Sequence, residues 1–159
     1  MKTLFSILTL IMIFLTACRE DDHVADYSLR AVSGPDVIIF GYIDSVQIYE
    51  DPVSLEDVSM SGDTLKLEIS YSGGCKEHEF LLYVSKDFAE SYPVQASVYL
   101  SHNSNDDRCK ALIRKDLCFN LSLLKEEYWK LYNDNGPIDL NLFAPGTTDA
   151  HMPLIRYSF

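Results

Sequence analysis

Along most of the chain, apolar and polar positions alternate with a period of two, the spacing of a strand with one buried face. The clearest case is 64–71, where Leu65, Leu67, Ile69 and Tyr71 share one face and Lys66, Glu68 and Ser70 the other. Turn residues bracket it, Ser61-Gly62-Asp63 before and Ser72-Gly73-Gly74 after. Val37-Ile38-Ile39-Phe40 reads as a short buried run, and Val46 and Ile48 alternate with Gln47 and Tyr49. Further strands are predicted at 79–84, 95–101, 110–113, 117–121, 138–143 and 154–159. One segment departs from this period. In 122–132 the apolar residues Leu124, Tyr128 and Leu131 fall at i, i+4 and i+7, with Ser122 placed to cap the start and Asn133-Asp134-Asn135-Gly136-Pro137 to end it. The pattern predicts a mainly β fold, an antiparallel β-sandwich of Ig-like architecture, with one short α-helix near residues 122–132. It forms a single domain over 36–159.

The first residues follow a different logic. After Lys2, positions 4–15 carry no charge, too short a run for a good membrane span and the right length for a secretory signal. It ends in Leu15-Thr16-Ala17-Cys18, which resembles the bacterial lipobox, where a diacylglycerol is attached to the cysteine thiol and the chain is cut just before it. Residues 1–17 then form a lipoprotein signal peptide. Residues 18–35 form the lipidated Cys18 and an acidic tether ending in Ser33-Gly34-Pro35. The cluster Arg19-Glu20-Asp21-Asp22-His23 resembles the surface-export signal of Bacteroidetes-type lipoproteins, and its plain alternative is a solvated tether. The expected location is the outer membrane, lipid-anchored and facing the exterior, with a periplasm-facing orientation as the alternative.

Charge narrows the partners. The 159 residues hold 24 acidic and 13 basic side chains, a net charge of −11, and Lys2 is the one charge removed with the signal. So acidic a domain repels phosphate backbones, which argues against nucleic acid, and membrane contact falls to the lipid anchor. At 47% hydrophobic and 12% aromatic, the chain still has what a packed core needs.

Chemistry-bearing residues gather in two places, Gly73-Gly74-Cys75-Lys76-Glu77-His78 and His102-Asn103-Ser104-Asn105-Asp106-Asp107-Arg108-Cys109. In an oxidising compartment two such cysteines pair, and Cys75 and Cys109 both lie where a loop meets a strand, so a Cys75–Cys109 disulfide is expected. With Cys18 lipidated, Cys118 is left over and is expected to be free, its side chain on the face opposite Leu117 and Phe119. His78, His102 and Asp107 are the candidate ligand- or metal-holding residues beside the disulfide. Zinc or copper would suit them, and hydrogen-bonded structural histidines are the alternative. No cofactor is otherwise implied. Asn103 to Asp107 offers oxygen ligands for calcium but lacks the EF-hand spacing, so a polar hairpin loop is the better reading. No nucleophile elbow, His-Glu-x-x-His or phosphate-cradling glycine loop occurs, so no catalytic residues are assigned and an enzyme is not expected. Asp44-Ser45-Val46 and Asp63-Thr64-Leu65 resemble the loose O-glycosylation pattern of exported Bacteroidetes-type proteins. The alternating 155–159 end suits a final sandwich strand better than a barrel strand, being too short to cross a bilayer.

Gly74 to Phe80, His102-Asn103 leading to Asp107-Arg108-Cys109, Phe119-Asn120-Leu121-Ser122-Leu123-Leu124 and the closing Tyr157-Ser158-Phe159 together resemble a group of small Bacteroidetes-type lipoproteins. More loosely, they are similar to the NigD-like lipoproteins of a bacteriocin operon. The resemblance covers about residues 62–159 and departs from the pattern at Asn120 and Leu123, where Asp and Pro are expected. It implies a β-sandwich and a cell-envelope address, without an activity. The function expected is therefore that of an outer-membrane-anchored, surface-exposed lipoprotein with a non-enzymatic binding or structural role toward a protein or glycan partner. The alternatives are a metal-binding envelope protein using His78 and His102, and a bacteriocin-immunity-type lipoprotein.

Overall fold

A computed structural model describes residues 37–146 and 154–159; the segments expected to be a signal peptide, lipobox and tether lie outside them. The strands are β1 (Val37–Phe40), β2 (Ser54–Ser61), β3 (Thr64–Gly73), β4 (Glu79–Ser85), β5 (Val94–Asn103), β6 (Ala111–Asn120), β7 (Ile138–Phe143) and β8 (Leu154–Tyr157). Helix α1 (Ser122–Tyr132) follows β6. The fold is mainly β. One sheet has the order β1-β4-β5-β7-β8 and the other β2-β3-β6. Their facing sides share one core, with Leu65, Leu67, Ile69, Leu117 and Phe119 from the smaller sheet and Leu82, Val98, Leu100, Leu140 and Tyr157 from the larger. Among the described residues no helix is long and apolar enough to cross a membrane.

The smaller sheet is antiparallel throughout, whereas in the larger one β1 runs parallel to β4 and β5 parallel to β7. Parallel neighbours need a long crossover. Here β6 and α1 provide it between β5 and β7, and β2 and β3 between β1 and β4. Simple alternation says nothing of this, because the side-chain period is the same in either direction.

Other departures from the expected elements have local causes. β2 was hidden because its register shifts between Leu55 and Asp57, and the bulge spaces its inward residues Leu55, Val58 and Met60 irregularly. The segments at 110–113 and 117–121 are one strand, whose middle reads as polar because Lys115 faces inward at a sheet edge, its ammonium 5.2 Å from the Phe80 ring centre. Residues 46–49 form no strand; a 3-10 turn at Ile43–Ser45 leads into them. In α1 the start is held not by Ser122 but by Asn120, whose Oδ1 accepts the Ser122 N–H at 2.8 Å. Leu124 and Tyr128 are buried, but Leu131 is 62% exposed, since the last turn runs past the edge of the core. Asn133 ends the helix in the left-handed conformation, its N–H on the Trp129 carbonyl.

Candidate functional site: a buried histidine chain

β3 and β5 end together, and beyond them the β3–β4 and β5–β6 loops meet. Ser104 to Asp107 forms a tight turn with Asn105 and Asp106 both at positive φ (53° and 56°), and the Asp107 N–H donates to the Ser104 carbonyl. Asn and Asp tolerate that conformation, and such turns suit a hairpin twist. The turn brings Cys109 to Cys75, which are disulfide-bonded with Cα atoms 5.8 Å apart. The Asp107 carboxylate lies at the centre of the junction. Its Oδ2 accepts the N–H groups of Cys75 and Lys76, and its Oδ1 accepts that of Cys109, each at 2.9 Å. These bonds, the Cys109 one first, hold its carboxyl far below the usual carboxylate range against an opposing effect of burial. Two asparagine side chains add to this network. Asn103 Oδ1 accepts the Asn105 N–H, and Asn105 Nδ2 donates to the Glu77 carbonyl.

Inside this covalent clasp sit the two histidines. Both follow the inward parity of their strands, His78 with Phe80 and Leu82, and His102 with Val98 and Leu100. His102 Nδ1 donates to the Asp51 carbonyl at 3.0 Å, and its Nε2 lies 2.8 Å from His78 Nδ1. His78 Nε2 lies 3.3 Å from Asp107 Oδ2. The rings are packed on aromatic faces. Phe80 stacks on His102 at 4.5 Å and 4°, and Tyr71 lies 4.6 Å from His78. Burial, then the neighbouring His78, pushes the His102 imidazole below its ordinary value, although its bond to the Asp51 carbonyl opposes this. Burial pushes the Tyr71 phenol up. The Asp51 carboxylate accepts the Ser104 N–H at 2.7 Å and is lowered by Ser104.

The structure thus brings together every residue singled out beside the disulfide, but as a line. His78 uses opposite ring nitrogens for His102 and Asp107, so the three donor atoms do not face a common centre as the ligands of one ion would. Cys75, Asp107 and Cys109 are also clustered, yet two of those ligand atoms are already joined in the disulfide. Cys118 is half-buried on the outer face of β6, opposite in parity to Leu117 and Phe119, and it is not a free cysteine. The expectation of a free thiol is therefore corrected, because parity places a sulfur without deciding what meets it. Cys18 lies outside the described residues.

Four participants were missed by the sequence reading. Tyr71 and Phe80 carried a signal, the inward parity they share with Leu67 and Leu82. Asp51 joins through its backbone, which no side-chain pattern reveals. Gly73 matters by what it lacks, since a Cβ there would lie 2.6 Å from His78 Nε2 and 3.2 Å from Asp107 Oδ2.

No protein-family profile and no curated protein matches the chain. Solved structures do. A NigD-like immunity protein from Bacteroides caccae aligns with 83% of this chain and 67% of its own, at TM-score 0.57 and 16% identity. A protein described as toxin-related from Parabacteroides distasonis aligns with 79% of this chain and 61% of its own, at TM-score 0.55 and 20% identity. A protein described as a lipoprotein from Bacteroides fragilis aligns with 79% of this chain and 69% of its own, at TM-score 0.54 and 14% identity. The chain therefore spans about two thirds or less of the length of such structures, and at these identities what it shares with the NigD-like protein and the Bacteroides lipoprotein is a fold.

Proposed function

We propose that the chain is a lipid-anchored envelope protein that acts by binding a protein or glycan partner and catalyses no reaction. The observation that carries this reading is Leu15-Thr16-Ala17-Cys18 at the end of an uncharged run, leading through an acidic tether to a folded domain. Supporting it, the one dense cluster of titratable groups beside the disulfide is turned inward and bonded to itself, whereas large side chains such as Trp129 and Tyr92 stand on the surface. Aromatic residues of this kind suit partner contacts. The Arg19–His23 cluster favours display on the outer face of the outer membrane. Fatty-acid labelling of growing cells tests the anchor: label on the wild type, lost in Cys18→Ser, is expected. An unlabelled wild type would remove the basis of the proposal. Protease treatment of intact cells tests the orientation, with degradation expected and full protection pointing to the periplasm.

An immunity role is the second reading, favoured by the fold shared with the NigD-like immunity protein. It requires a toxin-like reading frame beside the gene, and cells lacking this chain should be killed when that frame is expressed. Survival would exclude it.

A further inference from the structure

Trp129 is the only tryptophan of the chain, and the core does not use it. It lies off the buried stripe of Leu124 and Tyr128 and is 53% exposed. Positions three and four apart share a helix face, so Lys125, Glu126 and Lys130 stand around the indole. Past the helix, the left-handed Asn133 turns the chain, and Asn135 comes back against the same face. These five residues line a surface hollow of about 260 Å³. Pockets for drug-sized ligands run to roughly 300–1,000 Å³, so this hollow has room for one small ring.

The charges around the hollow select its occupant. Both ammonium groups are already balanced, Lys125 by Asp63 at 3.4 Å and Lys130 by Glu127 at 2.7 Å. Among the described residues, the Glu126 carboxylate and the Asn135 side-chain amide make no hydrogen bond, and no ring stacks on the indole. An anion would meet Glu126 and the field of a chain at −11. A cation would meet the two lysines. A neutral molecule rich in hydroxyls meets neither obstacle. Its hydroxyls can donate to Glu126 and exchange bonds with the Asn135 amide, while its C–H groups lie on the indole face. A sugar ring has both parts, a face of C–H groups and a rim of hydroxyls. We propose that Trp129, Glu126 and Asn135 form a binding subsite for a neutral sugar residue of a glycan. The place of the hollow in the fold agrees. β1 runs parallel to β4, from the histidine end toward α1, so the chain enters β1 heading toward the hollow and from the side away from it. The inference rests on the partner-binding reading above and narrows the partner to a glycan.

With a single tryptophan in the chain, indole fluorescence reports on this hollow alone. The full chain, held in a detergent without a sugar headgroup, is titrated with neutral oligosaccharides of glucose, mannose, galactose, xylose and N-acetylglucosamine. A saturable blue shift is expected with at least one of them, and a weaker response to oligogalacturonate, an anionic counterpart. For the sugar that binds, calorimetry should show affinity reduced about tenfold in Trp129→Ala and about threefold in Glu126→Gln. Leu112→Ala, exposed on β6 near the opposite end, should leave it unchanged. No saturable shift with any of the five, or tighter binding of the anion, would overturn the proposal, and this wild-type titration decides it whether or not a variant folds. A silent titration leaves the anchor and the protein-partner arm of the proposed function standing; it is an unlabelled wild type in the fatty-acid experiment that removes those.

Discussion

Where β3 ends, the sandwich is closed by buried polar groups, two imidazoles and a carboxylate in line, held in place by the Cys75–Cys109 bond. Where β3 begins, it is closed by α1 and aromatic rings. Phe88 and Phe159 both pack edge-on against Tyr128, at 5.7 and 5.6 Å, and Tyr157 donates to Asp63 at 2.7 Å. The first closure depends on protonation states and on a covalent bond; the second depends on apolar area and on the contacts Asp63 makes with Tyr157 and Lys125. A small core can thus be sealed at an open end by either means, and between neutral and mildly acidic pH it is the polar seal that responds.

The largest effect should come from removing the covalent part of the polar end. A Cys75→Ser, Cys109→Ser double variant loses about 4 kcal/mol in the chain-entropy picture for a separation of 34 residues, seen as a lower denaturant midpoint. It should also loosen Asp107, whose partners include the amides of both cysteines. At the opposite end, Tyr128→Ala should cost a comparable 3–5 kcal/mol, roughly the price of emptying an aromatic core site. Its effect should be the same from neutral to mildly acidic pH, well below the range where the phenol, pushed up by burial, ionises, and a loss that changes across that range would undo the distinction between the two ends. Gly73→Ala forces a Cβ against the His78–Asp107 contact and should destabilise by about 1–3 kcal/mol, with His78→Ala in the same chain relieving part of it. Tyr157→Phe leaves Asp63 with Lys125 at 3.4 Å and should cost about 1–2 kcal/mol. The smallest effect expected is from zinc or copper. Because the donor atoms lie in line, metal analysis should find no stoichiometric ion that His78→Ala removes, and finding one would favour the metal-binding alternative.

Much of this was legible in the residues. Leu65, Leu67 and Ile69 announced β3, Leu124 and Tyr128 announced α1, and the Cys–His clusters pointed to the end of the sandwich where they meet. What stayed hidden has physical reasons. The bulge in β2 disturbs the period that pattern reading depends on, and parallel pairing leaves no trace in alternation. Residue types suited to metal binding did not reveal that His78 points its two nitrogens in opposite directions, which is a matter of ring orientation and not of spacing. Nor could the count of cysteines foresee that Cys118 is engaged.

The histidine end is a self-satisfied polar seal, distinct in kind from the helix end. Amide exchange of the full chain, followed as the pH is lowered from neutral, reads that difference. His102 is held below its ordinary value, so the stability it lends is complete above about 6.5 and is lost as the pH falls through its lower folded value. Asp107 is likewise depressed, so its share is complete above about 3.9 and fades only at far lower pH. Protection at Cys75, Lys76 and Cys109 should therefore fall in mild acid and again in strong acid, while Leu124 and Lys125, bonded to the Leu121 carbonyl, stay protected through the first step. Equal loss at both ends in mild acid, or no loss at either, would contradict the account.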